Sequence, residues 1–144
     1  GDPELLPIKA PKADKPLRRG AAFVAQRDDG SVLLRTRPER GLLGGMSEVP
    51  TTGWTARFDG ETTEKAAPFP ANWRRAGQIS HVFTHFSLEL EVFLAKVSGG
   101  PVPDGHRWSP ASTLHGEALP TVMKKVIETA IPGATRAPRP GDKA

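Results

Sequence analysis

The chain has 144 residues, a hydrophobic content of 37%, no cysteine, 15 glycines and 15 prolines, which is typical of one turn-rich domain with irregular ends. The lack of cysteine excludes disulfides, thiolate nucleophiles and cysteine-ligated zinc or iron–sulfur sites within these residues. No apolar run approaches the about 18 residues of a membrane span, and no signal peptide opens the sequence. We therefore expect a soluble, intracellular protein.

The formal charge of +4 is carried by the two ends of the chain. Residues 1–19 hold five of the 20 lysines and arginines against three of the 16 acids, and residues 132–144 hold three against one. Residues 20–131 are therefore neutral, with twelve groups of each sign. A neutral segment gives little nonspecific affinity for DNA, so DNA binding would need a local patch, the ends or another domain.

The composition predicts three parts of the chain. Residues 1–19 are predicted to be a basic, proline-rich interdomain linker, because their prolines favour extended backbone and they show no apolar period. Residues 20–131 are predicted to fold as one domain, and residues 132–144 are predicted to form a disordered tail.

Two short apolar runs open the folded part. Ala21–Gln26 and Ser31–Thr36 flank the turn signal Asp29-Gly30, which predicts an antiparallel hairpin. The glycine-punctuated segment Arg37–Pro50 follows and is predicted to end in a short strand near residues 47–49. A phosphate-binding loop is the alternative for this segment, but the Gly-Lys-Ser/Thr ending of such loops is missing.

The stretch His81–Val97 is the most informative part of the sequence. Its second half alternates apolar and acidic residues, which predicts a strand with one buried and one solvated face. The buried face is predicted to hold Leu88, Leu90, Val92 and Leu94, and the solvated face Glu89 and Glu91. Its first half, Phe83-Thr84-His85-Phe86, combines two rings, a hydroxyl and an imidazole, which favours a recognition element. The alternative is that Phe83 and Phe86 are core residues with polar histidine neighbours.

The remaining predicted elements are short. A short helix is expected near Glu61–Ala67, a brief strand at Arg107-Trp108, and one helical turn from Pro110 to Leu114. Pro120 opens an amphipathic helix with an apolar face. That face holds Val122, Met123, Val126, Ile127 and Ala130. Together these elements predict an α+β domain, with a curled, mostly antiparallel or mixed sheet and one or two packed helices.

Few residues form a pattern that predicts catalysis or metal binding. His81 and His85 are four residues apart, but in a strand this spacing separates two side chains by about 13 Å, so no metal site is predicted. No serine-centred nucleophile motif is present. Arg74 and Arg75 are candidate phosphate contacts, with a solvated surface pair as the alternative.

Three ordered motifs carry a family resemblance. They are Arg37-Pro38-x-x-Gly41-Leu-Leu-Gly-Gly-Met-Ser-Glu-Val-Pro50, His81-x-Phe83-Thr-His-Phe86-x-Leu-x-Leu and Ala118-Leu-Pro-Thr-Val-Met-Lys-Lys-Val126. Over about residues 3–131, the chain resembles the C-terminal domain of the MutY family of adenine DNA glycosylases. The resemblance implies a Nudix (MutT-like) fold that recognises 8-oxoguanine opposite a misincorporated adenine in DNA repair.

The resemblance also implies what the chain binds and what it lacks. In the family, base excision and an iron–sulfur cluster belong to an N-terminal helical domain. This chain is therefore expected to be an excised, monomeric domain with no catalytic residue, metal or cofactor of its own. Its implied partners are duplex DNA containing 8-oxoguanine opposite adenine and the N-terminal glycosylase domain, in the bacterial cytoplasm.

The family's recognition motif, Phe-Ser-His, implies roles for three residues. Phe83 would be a wedge or stacking ring, Thr84 the hydrogen-bond partner of the oxidised base, and His85 a supporting contact. The chain departs from the family at two positions, since Thr84 replaces the usual serine and Ser47 stands where an aromatic residue is usual.

Two other functions are alternatives. An active Nudix hydrolase needs the box G-x5-E-x7-R-E-U-x-E-E-x-G-U, whose glutamates hold a divalent metal. Counting from Gly53 reaches Asp59 and then Ala67-Pro68, and no Arg-Glu or Glu-Glu dipeptide occurs in the chain. The hydrolase is therefore predicted to be inactive. A protein-interaction module on the same scaffold is the second alternative, because a fold does not fix a function.

Overall fold

The computed structural model describes residues 15–98 and 102–136, which form a six-stranded sheet with one α-helix packed on it. The bounds are β1 (Leu17–Arg27), β2 (Val32–Thr36), β3 (Ser47–Glu48), β4 (Arg74–Val82), β5 (Ser87–Val97), β6 (His106–Ser109) and α1 (Thr121–Ala130). The strand order is β3-β2-β1-β5-β4, with β6 paired to β2. Strands β1 and β5 run parallel, and the other pairs run antiparallel. The predicted α+β class with a mixed sheet is confirmed.

The predicted hairpin of β1 and β2 is confirmed, and its turn explains why the chain reverses there. Gly30 has a φ of 88°, a left-handed conformation that side chains disfavour. The N–H of Ser31 donates to Asp29 Oδ1 at 2.9 Å, which fixes the turn locally. The short strands predicted near residues 47–49 and at Arg107-Trp108 are observed as β3 and β6.

The sheet is covered on both faces. Helix α1 packs on one face through the apolar side that the sequence predicted, with Val122, Met123, Val126 and Ile127 buried. The segment 52–73 covers part of the opposite face, where Ala66, Ala67 and Trp73 pack against Ala21, Phe23 and Phe93. The alternation of β5 follows from this arrangement, because Leu88, Leu90 and Val92 are buried in the cluster under α1. No helix in residues 15–98 or 102–136 is long and apolar enough to cross a membrane.

Some predicted boundaries differ from the structure. Strand β1 begins at Leu17, so the sheet extends three residues into the predicted linker. Residues 132–136 belong to the fold rather than to a tail, because the Glu128 carboxylate accepts from the N–H groups of Gly133 and Thr135. The helix predicted over residues 61–67 is only a 3-10 turn at Glu64–Ala66. Residues 1–14 and 137–144 of the predicted linker and tail lie outside the described residues.

The helical turn predicted before α1 also shifts. It was expected from Pro110 to Leu114, whereas the 3-10 turn is at Leu114–Gly116 and is preceded by a non-helical turn. Leu114 is 1% exposed, so burial of this side chain, which the local sequence does not reveal, fixes where the turn lies.

Candidate nucleic-acid interface

A hairpin joins β4 to β5, and residues 83–86 form its tip. The last strand pair is Val82 with Ser87, and the N–H of Phe83 donates to the carbonyl O of Phe86 at 2.8 Å. Residues 84 and 85 therefore occupy the turn, and both are exposed. Backbone hydrogen bonding thus closes the turn, and the Thr84 hydroxyl and the His85 imidazole lie on exposed residues at the hairpin tip.

Aromatic rings pack beneath the hairpin tip. Phe86 is 2% exposed, and its ring lies 4.8 Å from that of the half-buried Phe83. The ring of Trp54 lies 6.4 Å from both. The His81 ring meets Phe83 edge-on at 4.7 Å. Phe86 is therefore a core residue, as the alternative interpretation held, whereas Phe83 lies at the edge of the core with part of its ring accessible.

A buried carboxylate supports this aromatic cluster from the side. Glu48 is 2% exposed and accepts from Arg35 Nε at 2.7 Å and from Arg37 Nη1 at 2.6 Å. The guanidinium of Arg37 lies 5.5 Å from the centroid of the Trp54 ring and donates through Nε to the carbonyl O of Leu42. Arg37 thereby links the segment that follows β2 to the aromatic rings that pack beneath the hairpin tip.

Basic side chains lie against the same hairpin. Lys15 Nζ donates to the carbonyl O of Phe83 at 3.0 Å, and Lys125 Nζ donates to the carbonyl O of Ser80 at 2.9 Å. Lys125 also lies 3.3 Å from His81 Nδ1. Burial, together with the positive charge of Lys125, lowers the pKa of His81 below its ordinary value. The neutral imidazole is therefore favoured at this position.

The predicted site residues do not all come together. Phe83, Thr84 and His85 form one tip, whereas Arg74 and Arg75 begin β4, which places them roughly 25 Å away by strand rise. Arg75 Nε lies 2.5 Å from Glu91 Oε1, so its charge is paired, while Arg74 is exposed. The structure does not group these arginines with the tip.

The position where an aromatic residue is usual in the family has a polar role here. Ser47 is 5% exposed, and its hydroxyl accepts from Arg107 Nη2 at 2.9 Å and donates to Glu117 at 3.3 Å. Arg107 Nη2 also donates to Glu117 at 2.7 Å. Despite its burial, the Glu117 carboxyl has a pKa below its ordinary value, because Arg107 and Ser109 donate to it. Ser47 is thus part of a hydrogen-bonded cluster rather than a pocket wall.

A cleft of about 600 Å³ lies on the sheet face opposite α1. Three acids line it, and two of them, Glu89 and Glu91, are paired with Arg19 and Arg75, while Gln78 donates to Glu91 at 2.7 Å. Within residues 15–98 and 102–136, no three histidine or acidic side chains are grouped so that they could hold a metal ion. The charges of Glu89 and Glu91 are thus neutralised by their neighbours.

Sequence patterns missed four residues around the tip. Trp54 sits in the segment with the least regular sequence, and Arg37 is 17 residues away from it. Lys125 falls on the charged face of an amphipathic helix, which normally indicates solvation only, and Lys15 lies in the predicted linker. A contact that joins residues 68 apart, such as Lys15 with Phe83, leaves no local signal.

Comparison with known proteins places these features in a family. Residues 21–129 match a family model described as NUDIX domain. The chain is 34% identical over 108 residues to the human adenine DNA glycosylase, and 32% identical over 109 residues to the mouse adenine DNA glycosylase. These matches cover 67% of this chain but 20% of the human protein and 21% of the mouse protein. The chain therefore spans about a fifth of the length of these relatives.

Solved structures agree on the fold. The C-terminal domain of mouse MUTYH, solved in complex with human PCNA, is similar with a TM-score of 0.63 and 26% identity, over 77% of this chain and 85% of that chain. The NUDIX domain of Shewanella oneidensis NrtR has a TM-score of 0.64 at 16% identity, over 83% of this chain and 89% of that chain, which shows the fold alone. Because the matched region covers most of the residues, including nearly all of the sheet, the hairpin tip and α1, the chain belongs to the NUDIX domain family and is similar to the Nudix region of adenine DNA glycosylases.

Proposed function

We propose that the chain is the lesion-recognition domain of an adenine DNA glycosylase and recognises 8-oxoguanine opposite a misincorporated adenine in duplex DNA. One observation carries the proposal: the hairpin tip exposes Thr84 and His85 on a base of packed aromatic rings. A preorganised turn can meet a base edge with little further loss of conformational entropy. The similarity to mammalian adenine DNA glycosylases supports duplex DNA as the ligand.

The chemistry of the lesion suits a hydroxyl and an imidazole. 8-Oxoguanine differs from guanine by an oxygen at C8 and a proton on N7, so few groups can distinguish the two bases. A hydroxyl can accept from the N7 proton of the lesion, whereas N7 of guanine is itself an acceptor. Thr84 supplies such a hydroxyl, and His85 supplies a neighbouring group that can donate or accept.

Replacing Thr84 by alanine in the parent glycosylase should narrow the preference for 8-oxoguanine:adenine over guanine:adenine by roughly tenfold. The lost hydrogen bond is worth about 0.5–1.5 kcal/mol net, and a buried unpaired donor costs about 1–3 kcal/mol. Thr84→Ser keeps the hydroxyl and should retain most of the preference. Binding constants on matched duplexes measure the effect, and an unchanged preference in Thr84→Ala would show that this residue does not recognise the lesion.

Hydrolysis of a free nucleotide is the main alternative, and the proposal excludes it. With magnesium or manganese present, the chain should release no phosphate or pyrophosphate from 8-oxo-dGTP or from the canonical nucleoside triphosphates. The reason is that the metal-binding glutamates of the Nudix box are missing, since Asp59 and Ala67-Pro68 stand at their positions. Product release that increases in proportion to the amount of chain would instead favour a hydrolase.

Protein binding is the second alternative, because the similar mouse domain was solved in complex with human PCNA. Binding of this chain to PCNA, with no preference for lesion-containing DNA in the parent enzyme, would favour a protein-interaction module. The Thr84 variants separate the two functions. Thr84→Ala should reduce the preference for the lesion if the tip recognises the base, and it should leave protein binding unchanged.

A further inference from the structure

Two lysines that the predicted site did not include are fixed against the β4–β5 hairpin. Lys15 and Lys125, which we call the lysine pair, donate to the backbone carbonyls of Phe83 and Ser80 at 3.0 and 2.9 Å. Ser80 belongs to β4 and Phe83 follows that strand at the hairpin tip, so both ammonium groups are anchored to the hairpin within a few residues of the exposed turn.

Among the described residues, no ion pair involves Lys15 or Lys125. The ion pairs of these residues join acids to Arg19, Arg27, Arg35, Arg37, Arg75 and Arg107. The acid on the same helix as Lys125 is Glu128, and its carboxylate accepts from the N–H groups of Gly133 and Thr135 at 2.7 and 2.9 Å. Positive charge is thus in local excess beside the tip, although residues 20–131 are neutral in total.

The lysine pair also keeps donors for a ligand. An ammonium group has three N–H donors. Lys15 uses one donor on the hairpin, and Lys125 uses one on Ser80 and lies 3.3 Å from His81 Nδ1. The phosphate backbone of DNA offers charged oxygen acceptors for these donors, and it lies close to the bases that the turn would contact.

We propose that the lysine pair binds backbone phosphates of the duplex whose base the hairpin tip recognises. The inference rests on the proposed function and adds the contacts that hold the DNA against the tip. Phosphate contacts set the position of a protein on the duplex and carry no sequence information. The lysine pair therefore contributes equally to binding of damaged and undamaged DNA, in contrast to Thr84.

The test is the salt dependence of DNA binding by the 144-residue chain, on an 8-oxoguanine:adenine duplex and on its undamaged match. Over roughly 50 to 200 mM salt, the unsubstituted chain is expected to bind both duplexes with dissociation constants of about 10⁻⁴ to 10⁻⁶ M. Lys125→Met keeps the aliphatic stem and should reduce the slope of log affinity against log salt by about 0.9. Adding Lys15→Met should bring the reduction to about 1.8, equally on both duplexes.

The matched control is Lys96→Met, which removes one exposed lysine near the other end of β5 and should leave the slope unchanged. Equal slopes of log affinity against log salt for Lys125→Met and Lys96→Met would overturn the inference. So would the absence of salt-dependent DNA binding by the unsubstituted chain. A reduced slope in Lys125→Met, with no effect of Thr84→Ala on lesion preference, would support the phosphate contacts and reject lesion recognition. Thermal unfolding of each variant verifies that the fold is intact.

Discussion

Replacing Glu48 by alanine should lower the free energy of unfolding by about 3–5 kcal/mol, because removing one partner of a buried ion pair leaves its cations uncompensated. The Glu48 side chain is 3% exposed and accepts from Arg35 and Arg37. The Arg35 and Arg37 side chains are 31% and 18% exposed. Because water screens part of their uncompensated charge, we expect a destabilisation at the lower end of this range. Urea unfolding followed by tryptophan fluorescence measures the change, because Trp54 lies beside Arg37.

Glu91→Ala is the matched control for this prediction. It removes a carboxylate that pairs with Arg75, whose side chain is 56% exposed, and it should therefore cost less than about 1 kcal/mol. If the two variants lost equal stability, the buried carboxylate would have no special role in supporting the aromatic cluster.

Replacing Phe86 by alanine should destabilise the chain by about 3–5 kcal/mol, because the ring is 2% exposed and its loss leaves a cavity under the tip. Phe83→Ala should cost roughly 1–2 kcal/mol, since that ring is only half-buried and less apolar area returns to water. Chemical denaturation of both variants gives the comparison.

The same pair of variants tests the predicted wedge. Because Phe83→Ala should still fold, a glycosylase that contains this domain, as proposed above, can be assayed for DNA binding with the substitution. Lost stacking should weaken that binding by about 1–3 kcal/mol per base. Should Phe83→Ala prove as destabilising as Phe86→Ala and leave lesion discrimination intact, the ring serves the fold and its assignment as a wedge is wrong.

Elements with a strong local pattern were predictable from the sequence. The alternation along β5, the Asp29-Gly30 turn and the apolar stripe of α1 each depend on neighbours within a few residues, and the structure has all three. The exposed turn at Thr84 and His85 was only half predictable, because the sequence indicated an unusual segment but did not show that β4 pairs back onto β5.

The rest of the site depends on contacts between distant residues. Glu48 lies in a short strand that the sequence predicts, but its burial and its contacts with Arg35 and Arg37 leave no local signal. In the sequence, the two adjacent arginines of β4 are candidate phosphate contacts or a solvated surface pair, and the structure pairs Arg75 with Glu91 far from the turn. Local patterns do not contain such pairings, since they arise from the register of neighbouring strands.

The chain enters the sheet beside the hairpin tip. Leu17, the first residue of β1, pairs with Ser87, the first residue of β5, and the N–H of Ser87 donates to the carbonyl O of Pro16 at 2.9 Å. Because β1 and β5 are parallel, β1 then runs away from the tip. Under the proposed function, a domain that precedes Lys15 would be tethered at the end proposed to recognise DNA. Such a tether would present a duplex already held by that domain to Thr84 and His85 at a raised effective concentration. A tip that binds only weakly by itself would then suffice to inspect each base pair in turn.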